Sequence, residues 1–441
     1  MNTISPSVRW VLIVALSTLP STWSIRADDP PAATQPKAIP TNRAEMLSAL
    51  EQLKQRTSRL PLPSPETAAR LTQESGGAGA LGVVNNGLMR KYYLPAELSS
   101  GGSSRQPDPA MKLDPVTATE LFWIVSRVNN CHYCLGHQEV KLKAAGVTED
   151  QLWQLDTDWQ AFSPPQQAAF AFARKLTYAP HTITDADIEP LRAQFAAEQI
   201  LEIAFLVGRY NSTNRWTDSL GIPQEDERSF QSALPIESLT KPSQVTIASL
   251  PPRDLITDYA QWQQAFQHAA RRSSRLPLAK SGSENTELAR LLSQFPVAGQ
   301  QWLEQARLAQ SVGVLPLQLR EQVAYVAARA DQAWYMQHRA RQSLLKRGMS
   351  DIEIFHLAAV AMPGASPSAA HPSLSPSTVL ALRFAFKLTA YPQTICDNDI
   401  AELLKVYNPN QVAELVYQIG LAAFLDRVTE AAGLGWQQES E

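Results

Sequence analysis

The chain has 441 residues, 44% of them hydrophobic and 18% charged, which suits two or three packed domains and excludes wholesale disorder. A formal net charge of -3 without any basic block argues against a nucleic-acid surface, because phosphate neutralisation needs clustered Lys and Arg. Three cysteines are too few for a disulfide-rich scaffold or a four-thiolate zinc site.

The chain opens with Arg9 and the apolar run from Trp10 to Leu16, followed by small residues up to Ala27. That is the layout of a secretory signal peptide, and the run is well short of the ~20 residues that span a bilayer. Residues 1–27 are therefore expected to be removed, leaving a secreted or periplasmic protein; an uncleaved anchor is the alternative. Residues 28–41 are rich in Pro and Ala and read as a flexible lead-in. No later segment is apolar for long enough to cross a membrane. Asp114-Pro115 supplies a cap with proline in the first turn, and Leu121, Phe122, Val125 and Val128 follow at helical spacing. Residues 168–176 and 377–389 are amphipathic, Asp185-Ala186-Asp187 marks a helix start, and residues 199–210 form a long apolar run around Glu202. Two stretches, 99–109 and 363–376, are rich in breakers and read as irregular. No segment alternates with period two, so the expected fold class is all-α.

One unit is written twice. Phe172-Ala173-Arg174-Lys175-Leu176-Thr177, then Pro180, Thr182-Ile183 and Asp187-Ile188, recurs as Ala385-Phe386-Lys387-Leu388-Thr389, Pro392, Thr394-Ile395 and Asp399-Ile400. At the same offset Glu202 meets Glu414, Gly208 meets Gly420, Arg215 meets Arg427 and Gly221 meets Gly433. Nearer the start, Ser58-Arg59-Leu60-Pro61-Leu62 recurs as Ser274-Arg275-Leu276-Pro277-Leu278. The expected organisation is a first domain over 42–223, a polar linker over 224–252 and a second copy over 253–438.

The first copy carries the chemistry. Cys131 and Cys134 follow Asn129-Asn130, a weak helix former and a good cap. A break there would set both thiols at the start of a new helix, where the N-terminal partial charge favours thiolate. It would also let Glu120 fold back towards them from a separate helix. Such a dithiol can attack a peroxide, pass through a sulfenic acid and close to a disulfide. His137, with Glu120, would move the protons. Zinc would need two further ligands; haem attachment would need a His where Leu135 stands; a thioredoxin-like site would need a βαβ setting. A static disulfide remains open, although a crosslink within one helical turn stabilises little. Arg215 and Arg427, and likewise Glu202 and Glu414, occur in both copies and are expected to be structural.

The run of Glu120, a helix, Asn-Asn-Cys-x-x-Cys and His137, with the later passage from Glu202 to Ile222, resembles the carboxymuconolactone decarboxylase superfamily, in its alkylhydroperoxidase D-like branch. The likeness covers residues 114–223 and is echoed over 318–436. It implies an all-helical fold, frequent homo-oligomers, no cofactor, a hydroperoxide substrate and a dithiol reductant. By the resemblance Cys134 is the attacking thiol, Cys131 resolves it, and His137 and Glu120 are relay residues. In the family the histidine comes four residues after the second cysteine, here Gln138, and the glutamate twelve before the first, here Thr119. The second copy has Ala333 and Met336 where the cysteines were, with Glu321 and His338 nearby, and is expected to be a structural half. The competing functions are an exported binding or scaffold protein, and an acid-base enzyme of the decarboxylase kind using His137 and Glu120.

Overall fold

The computed structural model describes residues 35–74, 85–99, 107–226, 228–246, 255–280, 286–362 and 374–436; the expected signal peptide lies outside them, as do most of both stretches read as irregular. The helix starts follow cap chemistry. Asp114 accepts from Thr117 N at 2.9 Å ahead of Pro115, Thr148 and Gln151 form a reciprocal box, and Asn408 forms another with Gln411 at the helix that starts on Pro409.

A first group comprises α1 (Arg43–Gln52), α2 (Pro65–Glu74), α3 (Asn85–Tyr93) and α4 (Ala96–Ser99). The core of the first copy follows: α5 (Pro115–Val128), α6 (His132–Ala144), α7 (Glu149–Thr157), α8 (Pro164–Tyr178), α9 (Asp185–Arg192) and α10 (Ala197–Ser219). Then come α11 (Ile236–Leu239), α12 (Tyr259–Ala270), α13 (Glu287–Leu292) and α14 (Ala298–Ser311). The final set is α15 (Leu317–Ala330), α16 (Trp334–Lys346), α17 (Asp351–Ala361), α18 (Pro376–Ala390), α19 (Asp397–Leu404) and α20 (Pro409–Ala432). Among the described residues the chain is all-helical apart from 3-10 turns and an isolated bridge between Asn42 and Pro242. No helix among them is long and apolar enough to cross a membrane. The order and lengths of α5 to α10 recur in α15 to α20.

The long helices α10 and α20 pack against each other at the centre, within one continuous hydrophobic core. The contacts are reciprocal. Arg215 donates to the Thr389 carbonyl at 2.9 Å and Arg427 to the Thr177 carbonyl at 2.7 Å. A Cβ on Gly208 would lie 3.0 Å from the Phe424 carbonyl oxygen, and one on Gly420 would lie 3.2 Å from that of Ser212. Arg59 Nε reaches Asp397 at 2.6 Å while Arg275 Nε reaches Asp185 at 3.3 Å. Residues at equal offsets thus exchange corresponding contacts across α10 and α20.

The expected structural residues behave accordingly. Glu202 Oε2 accepts from the backbone of Lys112 and Leu113 at 2.7 and 2.9 Å, and Glu414 Oε2 from Val314 and Leu315. These carboxylates thereby tie the loops entering α5 and α15 to the long helices. Arg427 pairs with Asp331 at 2.8 Å with both side chains buried. Two stretches differ from their sequence reading. The described part of the lead-in is anchored, since Lys37 pairs with Asp218 and the Ala38 carbonyl accepts from Asn130 at 3.2 Å. The described part of the linker is docked on the first copy through buried Phe230, Leu239 and Val245, and Gln244 N donates to the Asp156 carbonyl. Isolated apolar residues within a polar stretch are enough to hold it down.

Candidate active site

The helix breaks at the asparagine pair. Asn129 caps α5, and Asn130 takes φ 56°, the left-handed conformation that Asn tolerates better than most residues. Cys131 then caps α6 with extended backbone, its N–H bonded to the Ser126 carbonyl at 2.8 Å, and Cys134 lies in the first turn. Both thiols are unbridged. Both are buried, Cys131 at 0% and Cys134 at 2% exposure.

Thr217, on α10, brings them together. Its Oγ1 lies 3.2 Å from Cys131 Sγ and 3.1 Å from Cys134 Sγ, with one proton to share between sulfur and the Thr213 carbonyl. Behind it runs an amide network in which Asn129 donates to Asn211 and Asn214, and Asn214 donates to Ser126 Oγ. The environment separates the two thiols. Burial pushes Cys134 up, but hydrogen bonds from Cys131, Thr217 and Asn214 more than offset it, so its pKa lies below the ordinary thiol value. Cys131 is pushed well up by burial and by its hydrogen bond to Cys134, with Lys37 opposing. The arrangement favours thiolate at Cys134 and a protonated Cys131 beside it.

His137 and Glu120 each have a partner other than the sulfurs. His137 Nε2 lies 3.0 Å from Glu225 Oε2, and its ring packs on Tyr133 with centroids 4.5 Å apart. Burial holds its pKa below the usual value despite Glu225. Glu225 also accepts from Tyr133 Oη at 2.8 Å; burial raises it, yet His137, Tyr133 and Arg228 bring it down to about 2. Glu120 is buried at the other end of α5, where Gln166 donates to it at 2.9 Å and burial raises its pKa. His132 is held by Asn130 Oδ1 at 2.9 Å and kept neutral by burial and nearby cations. Among the described residues no three His, Cys, Asp or Glu side chains gather as a metal-holding group.

Residues 332–336 repeat the backbone of the site without its pair of thiols. Gln332 has φ 51°, and Ala333 caps α16 with φ and ψ of -82° and 94°, against -86° and 91° at Cys131. Met336 occupies the place of Cys134. Asp426, at the place of Asn214, is fully buried with neither oxygen hydrogen-bonded, and burial and Asp331 push its pKa well up. His338 stacks on Trp436, and burial and nearby arginines hold it down at about 4. Cys396 caps α19, far along the chain from the pair.

No family model matches the chain. It is similar to "Uncharacterized protein YnjA" of Escherichia coli (strain K12), 26% identical over 137 residues that make up 30% of this chain and 72% of that protein.

Proposed function

We propose that this chain is an exported thiol peroxidase of the alkylhydroperoxidase D type, built from two fused copies of one helical domain of which only the first turns over. The observation that carries the reading is the division of labour at Thr217: two free thiols share its hydroxyl, with Cys134 disposed to ionise and Cys131 disposed to keep its proton. The Cys134 thiolate attacks the terminal oxygen of a hydroperoxide; the O–O bond breaks, an S–O bond forms, and the departing alkoxide takes a proton. His137, one turn along α6 with Glu225 behind it, is the proposed carrier of that proton. Cys131 then attacks the sulfenic sulfur, releasing water and closing the disulfide. An external dithiol reduces the disulfide by exchange and is itself oxidised. Glu120, engaged by Gln166, fits a structural part better than a place in the relay.

The second copy fills the role of a partner subunit. Its support is the reciprocity of Arg215 and Arg427 with Thr389 and Thr177, the pattern of an isologous contact between two identical chains. The burial of both sulfurs supports a second reading, in which the fold is kept as an exported scaffold and the thiols are packing groups. Peroxide consumption with excess dithiothreitol separates the two. Cys134→Ser is expected to abolish it, while Cys131→Ser, given peroxide without added thiol, should complete a single turnover that stops at the sulfenic acid. Consumption that survives Cys134→Ser sinks the enzymatic reading.

A further inference from the structure

Most deeply placed arginines of this chain have a carboxylate partner. Arg43 pairs with Glu139 at 2.9 Å, Arg127 with Asp156 at 3.1 Å and Arg427 with Asp331 at 2.8 Å. Arg90 does not. Its guanidinium lies 4.6 Å over the ring of Trp216, the residue before Thr217, and its Nε donates to Asn86 Oδ1 at 3.3 Å. Asn86 N donates in turn to Tyr133 Oη at 3.3 Å, so α3, which carries Arg90, is fastened to the first turn of α6 one residue from Cys134. Among the described residues no carboxylate pairs with Arg90, with Arg209 or with Lys141.

Arg209 and Lys141 lie along the helix faces that carry Trp216 and Cys134. Arg209 is seven residues before Trp216 on α10, and Lys141 is seven residues after Cys134 on α6. Seven residues are two turns of a helix, so each returns to the same face about 10 Å along. Arg90 and Lys141 both interact electrostatically with Cys134, and both with Arg209. Burial is the largest influence on Arg90 and depresses its pKa to about 10. A guanidinium held partly out of water without a counter-ion is a strained arrangement that an incoming oxyanion relieves through two parallel hydrogen bonds. Tyr417 of α20 also faces Arg90, but its hydroxyl is committed to Gln305 at 2.6 Å, so it serves as wall rather than anion.

We infer that Arg90, with Arg209 and Lys141 behind it, is an oxyanion-binding rim beside Cys134 that selects organic hydroperoxides bearing an anionic group. This substrate class rests on the thiol peroxidase reading, whereas the anion site itself does not. Carboxylates and phosphate monoesters share the required chemistry. The aromatic face of Trp216 beneath Arg90 suits an apolar body next to the charge.

The test is calorimetric titration of the full chain, thiols reduced, with octanoate, octyl phosphate and octanol. Saturable binding is expected for octanoate or octyl phosphate at least tenfold tighter than for octanol, the tighter of the two anions naming the substrate's charged group. Arg90→Gln should weaken anion binding at least tenfold, and Arg90→Lys should recover part of it. Lys141→Gln, at an exposed position, should weaken it severalfold and keeps the test open if Arg90→Gln does not fold. Equal affinity for anions and octanol, or anion binding unchanged in Arg90→Gln or Lys141→Gln, overturns the inference. Binding requires no turnover, so anion binding without peroxide consumption would sink the peroxidase reading alone.

Discussion

At the scale of single residues the site depends on a hydroxyl. Thr217 is the group that both sulfurs touch, and a hydrogen bond to a charged acceptor is worth about 1.5–3 kcal/mol, or about one to two pKa units. Thr217→Val keeps the shape and removes the donor. The Cys134 pKa is expected to rise by about that amount, and alkylation of Cys134 at neutral pH to slow accordingly. Thiolate absorbance across a pH titration reads the shift directly, and an unchanged curve would remove Thr217 from the account. Asn130 is the other demanding position. Its left-handed backbone costs a β-branched residue about 1–2 kcal/mol, so Asn130→Val should lower the urea midpoint further than Asn130→Gly, which loses the same bonds to Ala38 and His132 but keeps the backbone conformation.

Among elements, the informative one is the segment after α10 that crosses α6. A Cβ on Gly136 would lie 2.7 Å from Gln224 Oε1, which shows how closely that segment is laid down, and Glu225 binds Tyr133 and His137 beneath it. Two titrations act on this clasp with the same sign. His137 is held below its ordinary pKa, so its contribution is complete above about pH 6.5 and declines as the pH falls through its folded value. Glu225 is held down at about 2, so its contribution is complete above about pH 4.3 and is lost between there and about pH 2. The urea midpoint should therefore fall on acidification, and Glu225→Gln should flatten the portion below about pH 4. Parallel profiles for the two proteins would contradict this. Little of the clasp was legible in the sequence. The break at Asn129-Asn130, the cap position of Cys131 and the need of Glu202 for a partner all follow from local chemistry, and they were readable. Thr217, Glu225, Lys37 and Arg90 come to the surroundings of the thiols across some forty to ninety residues of chain, and nothing in their immediate neighbours marks them. Glu120 illustrates the converse. Its spacing from Cys131 suggested a return to the sulfurs, but α5 runs straight on to its cap and leaves the carboxylate three turns away with Gln166.

For the whole molecule, the two copies share one core across α10 and α20, so unfolding should be cooperative. Calorimetry is expected to show a single transition rather than one per copy. Gly208→Leu should lower it markedly, because the new side chain has no room against Phe424 and Val428. Arg427→Ala should cost about 3–5 kcal/mol, because it removes the guanidinium paired with buried Asp331. Two separate transitions would mean that the halves are independent bodies. The crossed arginines also bear on which losses the second half can absorb. Each latch closes on a main-chain oxygen, and every amino acid has one. The catch is therefore indifferent to what stands at positions 177 and 389, while the bolt has to be a guanidinium. Alanine at 333 and methionine at 336 leave such a fastening untouched, so the half without the paired thiols can brace the half that carries them.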